Sequence, residues 1–232
     1  MRDATATAPH AAARFAGALY AIVVVTGIFS LAYAPDRIFA GESDAAAVRS
    51  IVANEQLLRC SVVAELACYT AFVFLPLALY RLLAPYGQFS AATMAALAIV
   101  SVPFGFANIA HLLEILRLVD AGAAASEPII AALDRYQAGF LLQNVPWGLW
   151  LIPLGILLIR SGFFPRILAI LLIASGVLHV SGMVARLLIE ERYAATGLSR
   201  VVSMFGMSEI LTCLWLLVFG ARRDLLPRRR KP

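Results

Sequence analysis

Charge is scarce in this chain. Of its 232 residues only 14% are charged, where a soluble domain carries roughly 25%. So little polar surface cannot cover a water-soluble core of this size, which excludes an ordinary soluble globular domain. Lysine occurs once, at Lys231, against eighteen arginines. Cysteine is also rare. Cys60 and Cys68 lie eight apart in one apolar run, and Cys213 lies in another. On one helix the first two stand over two turns apart, too far to bridge, so no disulfide framework is expected and all three read as buried apolar thiols. Three chemical signatures are missing as well. There is no G-x-S-x-G nucleophile elbow, no Gly-rich phosphate loop and no H-E-x-x-H or H-x-x-x-H pair. Serine-type hydrolysis and nucleotide binding therefore have no support.

What the chain does have is apolar length. Hydrophobic residues make up 62% and fall in blocks of about twenty, the length that crosses a bilayer as a helix. The expected fold is all-α: a polytopic transmembrane helical bundle of six spans in a single membrane domain, 1–232. The spans are placed at about 14–34, 58–83, 89–119, 134–160, 166–189 and 201–221, with a short surface helix at about 43–57. Ala32-Tyr33-Ala34 resembles a signal-peptide cleavage site. The apolar run before it is longer than a signal h-region, and Pro35 would follow the cut, so the first span is read as retained. Pro146 and Pro153 lie seven apart, on one face of span 4, and predict bending there.

Short and long connections alternate. With the N-terminus inside, eleven Arg and Lys fall on the inner side and eight on the outer, which predicts both termini cytoplasmic. The net charge of +5 comes largely from Arg222, Arg223, Arg228, Arg229, Arg230 and Lys231. Beside a span, such a run reads as a topology anchor against anionic lipid and not as a nucleic-acid site. The lipid bilayer is the partner this composition implies, in a cell inner membrane crossed several times. Homo-oligomers are left open.

Span 4 into span 5 reads Gly148-Leu149-Trp150-Leu151-Ile152-Pro153-Leu154-Gly155, then Arg160-Ser161-Gly162-Phe163-Phe164-Pro165-Arg166. Span 6 reads Ser208-Glu209-Ile210, then Leu214-Trp215 up to Gly220. These motifs and the hydropathy profile resemble the bacterial membrane-protein family called domain of unknown function 4386. The resemblance implies a multi-span bacterial membrane protein and supplies no reaction and no catalytic residues, so an enzymatic role stays open.

Charge at bilayer depth costs ~2.5–3.5 kcal/mol on insertion scales and more in simulations. Ionisable and amide groups inside spans therefore mark candidate sites: Glu65, Asn108, His111, Glu114, Gln143, Asn144, His179, Arg186 and Glu209. All fall toward the outer half. Glu65, Gln143, Asn144 and Glu209 sit roughly 10–14 Å below the outer helix ends at 1.5 Å per residue. Glu114 and Arg117 can pair at i, i+3, and His179, Arg186 and Glu190 form one stripe. Ala64-Glu65-Leu66 and Ser208-Glu209-Ile210 lie at similar depth. Stacked hairpins or chance likeness between apolar helices explain that equally well.

If these faces converge, they line an outward-opening polar pocket for a small ligand or a metal ion. His111, His179, Glu65 and Glu209 would then be ligands to a divalent ion such as zinc, with axial haem ligation by the two histidines ranked lower. The alternatives are a proton-coupled small-molecule transporter, which buried carboxyls and histidine would serve, and a non-catalytic membrane scaffold or sensor whose polar residues act as interhelical glue.

Overall fold

The computed structural model describes residues 4–122, 126–188 and 198–221, and among them every regular element is helical. α1 (Ala4–Ile28) runs into a wide π turn (Phe29–Tyr33) and the short α2 (Pro35–Ile38). Pro35 has no N–H, and its ring crowds the carbonyl four residues back. Just before it, the Ala34 N–H reaches the Phe29 carbonyl five residues back, at 2.9 Å. α3 (Asp44–Ala53) is capped by Ser43, whose Oγ accepts the Ala46 N–H at 3.3 Å. α4 (Glu55–Leu83) and α5 (Gln88–Asp120) follow, joined by a tight 3-10 turn at Ala84–Tyr86.

α6 (Ser126–Leu149) and α7 (Leu151–Ser161) are separated at Trp150, which lies between Pro146 and Pro153. Each proline withdraws an N–H from the helical ladder, so the break falls where two such gaps come close together. Gly162 then takes the left-handed conformation at φ +68°, which costs glycine nothing, and turns the chain into α8 (Arg166–Leu188). α9 (Leu198–Val218) is last.

Among the described residues five helices are long and apolar enough to cross a membrane: His10–Ile38, Glu55–Tyr86, Gln88–Asp120, Glu127–Ser161 and Arg166–Leu188. Met207–Val218 is apolar but shorter. Large apolar side chains such as Phe15, Val63, Phe89 and Ile167 stand exposed on these helices. Water would penalise such a surface at about 25 cal/mol per Å², whereas lipid would not. Cys68 and Cys213 are buried as expected. Cys60 is exposed, because it lies on the outer face of α4 beside the half-exposed Arg59.

The chain forms two compact units. The first is Met1–Ala21, Phe72–Val100 and Asn144–Pro232; the second is Ile22–Ala71 and Ser101–Gln143. In the first, glycines let backbones approach. A Cβ on Gly17 would lie 2.5 Å from the Leu217 nitrogen, and one on Gly176 would lie 2.6 Å from the Gly148 carbonyl oxygen. Arg14 adds a hydrogen bond to the Leu217 carbonyl at 3.2 Å, satisfying a carbonyl near the end of α9. The buried Trp150 ring meets Tyr20 and Phe72 at centroid distances of 6.1 and 5.2 Å. In the second unit, Arg59 joins Glu55 to Asp120, tying the start of α4 to the end of α5. The Ser61 hydroxyl donates to the Ser30 carbonyl at 3.3 Å.

Candidate functional site

A carboxyl taken out of water needs a donor, and each of the two deepest glutamates finds a tyrosine. In the second unit Glu65 is fully buried on α4, and its Oε1 accepts the Tyr136 hydroxyl of α6 at 2.7 Å. One turn along α4, Tyr69 donates to Gln143 Oε1 at 3.3 Å. Gln143 lies two turns beyond Tyr136, so the two bonds join the same helix faces. α5 closes the layer. Gly105 leaves room for the Tyr69 ring, which a Cβ there would meet at 2.5 Å. Asn108, one turn on, presses against Gly139, which lies between Tyr136 and Gln143 along α6. Four buried polar atoms here have no partner among the described residues: Glu65 Oε2, both Asn108 amide atoms and Gln143 Nε2. Each such atom costs about 1–3 kcal/mol.

His111 and Glu114 are half-buried further along α5. Glu114 does not take its i, i+3 neighbour as ion-pair partner. Arg135 of α6 reaches it at 2.7 Å, and His111 Nδ1 lies 4.0 Å from the same oxygen. Arg117 stays exposed. α6 brings an arginine across the helix gap, which spacing along α5 alone does not reveal.

In the first unit, Glu209 Oε2 on α9 accepts the Tyr20 hydroxyl of α1 at 3.0 Å. His179 stands on α8, which packs against α9. His179 Nδ1 is 2.9 Å from the Ser175 carbonyl one turn back. The neutral ring therefore carries its proton at Nδ1 and keeps a lone pair at Nε2. Asn144 is half-buried, and Arg186 is exposed. Glu190, expected to continue the His179–Arg186 stripe, lies outside the described residues.

The structure thus gathers Glu65, Asn108 and Gln143 in one unit and joins Glu209 to Tyr20 in the other. Among the described residues no three His, Cys, Asp or Glu side chains gather as an ion's donor set would. An open groove beside α8, bordered by Ile152, Val177, Val180 and Val184, contains none of the nine expected residues. Sequence reasoning passed over Tyr20, Tyr69 and Tyr136. A signal existed: a tyrosine inside an apolar span has a hydroxyl that must be satisfied, and Tyr69 stands one turn from Glu65.

No curated protein and no solved structure matches the chain. A family described as domain of unknown function (DUF4386) matches residues 15–220. That stretch contains both tyrosine–glutamate pairs and nearly the whole sequence, so the protein belongs to the DUF4386 family.

Proposed function

We propose that this chain is a multi-pass protein of a bacterial inner membrane, one membrane domain crossing six times with both termini cytoplasmic. Its layer of Glu65, Asn108 and Gln143 binds a small polar ligand reached from the outer side, with His111 and Glu114 toward the mouth. The arginine balance supports the orientation. A C-terminal reporter that matures only in the cytoplasm is expected to be active; activity restricted to a periplasm-maturing reporter would reverse the assignment.

The observation that carries the ligand reading is the set of four unpartnered atoms. Glu65 Oε2 and Asn108 Oδ1 ask for donors, while Asn108 Nδ2 and Gln143 Nε2 ask for acceptors. A small hydroxylated or amide-bearing molecule, neutral or singly cationic, meets all four. Zinc needs three or four His, Cys or carboxylate donors; among the described residues no three of these gather, which favours reading the ligand as a polar organic molecule.

Native mass spectrometry tests this reading. Protein extracted in mild detergent is expected to carry a small-molecule adduct that Glu65→Gln and Asn108→Ala each remove and Arg186→Ala retains. An adduct-free wild type, or one whose adduct survives Glu65→Gln, overturns it and leaves ordered water as the layer's occupant.

A further inference from the structure

We propose that the first unit carries a headgroup site for an anionic phospholipid, at the place where two of its helix turns meet. Arg160 holds the lipid phosphate, Arg81 and Arg166 flank it, and the acyl chains run along Phe89 and Ile167. The inference rests on the reading of the chain as a bilayer-crossing bundle. It uses none of the Glu65 layer.

The two turns are 84–87, between α4 and α5, and 162–165, between α7 and α8. They touch: the Tyr86 and Phe163 rings stand edge to face with centroids 6.2 Å apart. A Cβ on Gly87 would lie 3.1 Å from a terminal nitrogen of Arg160 and 3.4 Å from Leu157 Cδ2. The guanidinium from the end of α7 therefore lies against the turn that opens α5. Arg81 stands in the last turn of α4, and Arg166 opens α8. All three arginines are exposed, and arginine keeps its charge throughout the pH range of a cell.

Their counter-charge is missing from the unit. Its described residues contain one carboxyl side chain, Glu209, which is bonded to Tyr20. The ion pairs among the described residues all lie in the second unit, where Arg59 meets Glu55 and Asp120, and Glu114 meets Arg135 and His111. The sequence from Arg222 onward adds six cations against one acidic side chain, Asp224, so it brings no surplus anion. A phosphate from outside the chain matches what is left open. Arginine's planar fork takes two phosphate oxygens at once, and basic sites at helix ends in a bilayer recruit anionic headgroups.

Charge alone would suit any anion, and the neighbouring surface selects an amphiphile. Phe89, two residues past Gly87, is 86% exposed, and Ile167, next to Arg166, is 64% exposed. Guanidinium groups bordered by bare apolar side chains match a molecule with a phosphate at one end and hydrocarbon at the other. A free inorganic anion meets only the charged half.

Native mass spectrometry of protein released from nanodiscs of equal phosphatidylglycerol and phosphatidylethanolamine tests the site. The wild type is expected to retain phosphatidylglycerol in preference. Arg160→Gln should weaken that retention about fivefold, the loss of one arginine–headgroup interaction. The double variant Arg81→Gln/Arg166→Gln should weaken it at least as much, so either suffices if the other fails to fold. Arg186→Gln, at the far end of α8, should leave it unchanged. Equal retention of the two lipids, a loss as large in Arg186→Gln, indifference to both turn variants, or displacement of the lipid by excess inorganic phosphate would overturn the site. Release of the protein from membranes by alkaline carbonate without detergent would instead sink the bilayer reading, and this site with it.

Discussion

Gly176→Leu is expected to destabilise the protein by about 3 kcal/mol, the upper end for overpacking, and to lower its melting temperature in detergent by roughly 10 °C. Lipid tails are as apolar as leucine, so helices in a bilayer gain little from hiding apolar surface and associate through close packing. α8 meets the end of α6 and the start of α7 through small residues. Any Cβ on Gly176 would lie 2.6 Å from the Gly148 carbonyl oxygen and 3.0 Å from Ile152 Cγ1, and one on Gly155 would lie 2.6 Å from the Ala169 carbonyl oxygen. The nearest atom in each case is a backbone carbonyl oxygen, which cannot rotate away, so α8 must move as a body. Gly27 is the control. A Cβ there meets only Cys68 Sγ at 3.6 Å, an ordinary contact, and Gly27→Ala should gain up to ~1 kcal/mol from helix propensity. If Gly176→Leu melts with the wild type while Gly27→Ala is neutral, the α8 crossing is wrong. The change also bears on His179, whose Cβ abuts Gly148 across the same seam.

The helices were legible because a bilayer-length apolar run leaves few alternatives, and the break at Trp150 because two prolines seven residues apart remove two ladder bonds. Glu65 and Glu209 were legible as misfits by the same reasoning: a carboxyl in hydrocarbon is conspicuous. Their partners were not. Periodicity says which residues share a face of one helix, and depth says at what height they sit. Neither says how each helix is rotated about its axis. That missing angle decides that Glu65 meets Tyr136 and Glu209 meets Tyr20, and that Glu114 takes Arg135 ahead of Arg117. It also left Cys60 looking buried, since an apolar run contains a lipid face and a packed face alike. The likeness between Ala64-Glu65-Leu66 and Ser208-Glu209-Ile210 does have a structural counterpart. Each glutamate accepts one tyrosine hydroxyl from another helix.

Tyr136→Phe is expected to cost about 1–3 kcal/mol, because it strips the one donor from a carboxyl whose other oxygen already lacks a partner. The informative comparison is the double variant Glu65→Met/Tyr136→Phe. It replaces both ends of the bond by apolar groups of similar size, so it should be near neutral or stabilising relative to wild type, and a double-mutant cycle should return a large coupling between the two positions. A carboxyl that the fold would be more stable without has a role other than stability. The same double variant should lose the mass-spectrometric adduct entirely. Thermal unfolding of all four proteins decides the matter. If Glu65→Met, Tyr136→Phe and the double variant each destabilise, and additively, the layer is glue between α4 and α6 and the scaffold reading takes its place. If the double variant regains the stability that Tyr136→Phe loses, Glu65 is held in hydrocarbon for what it binds.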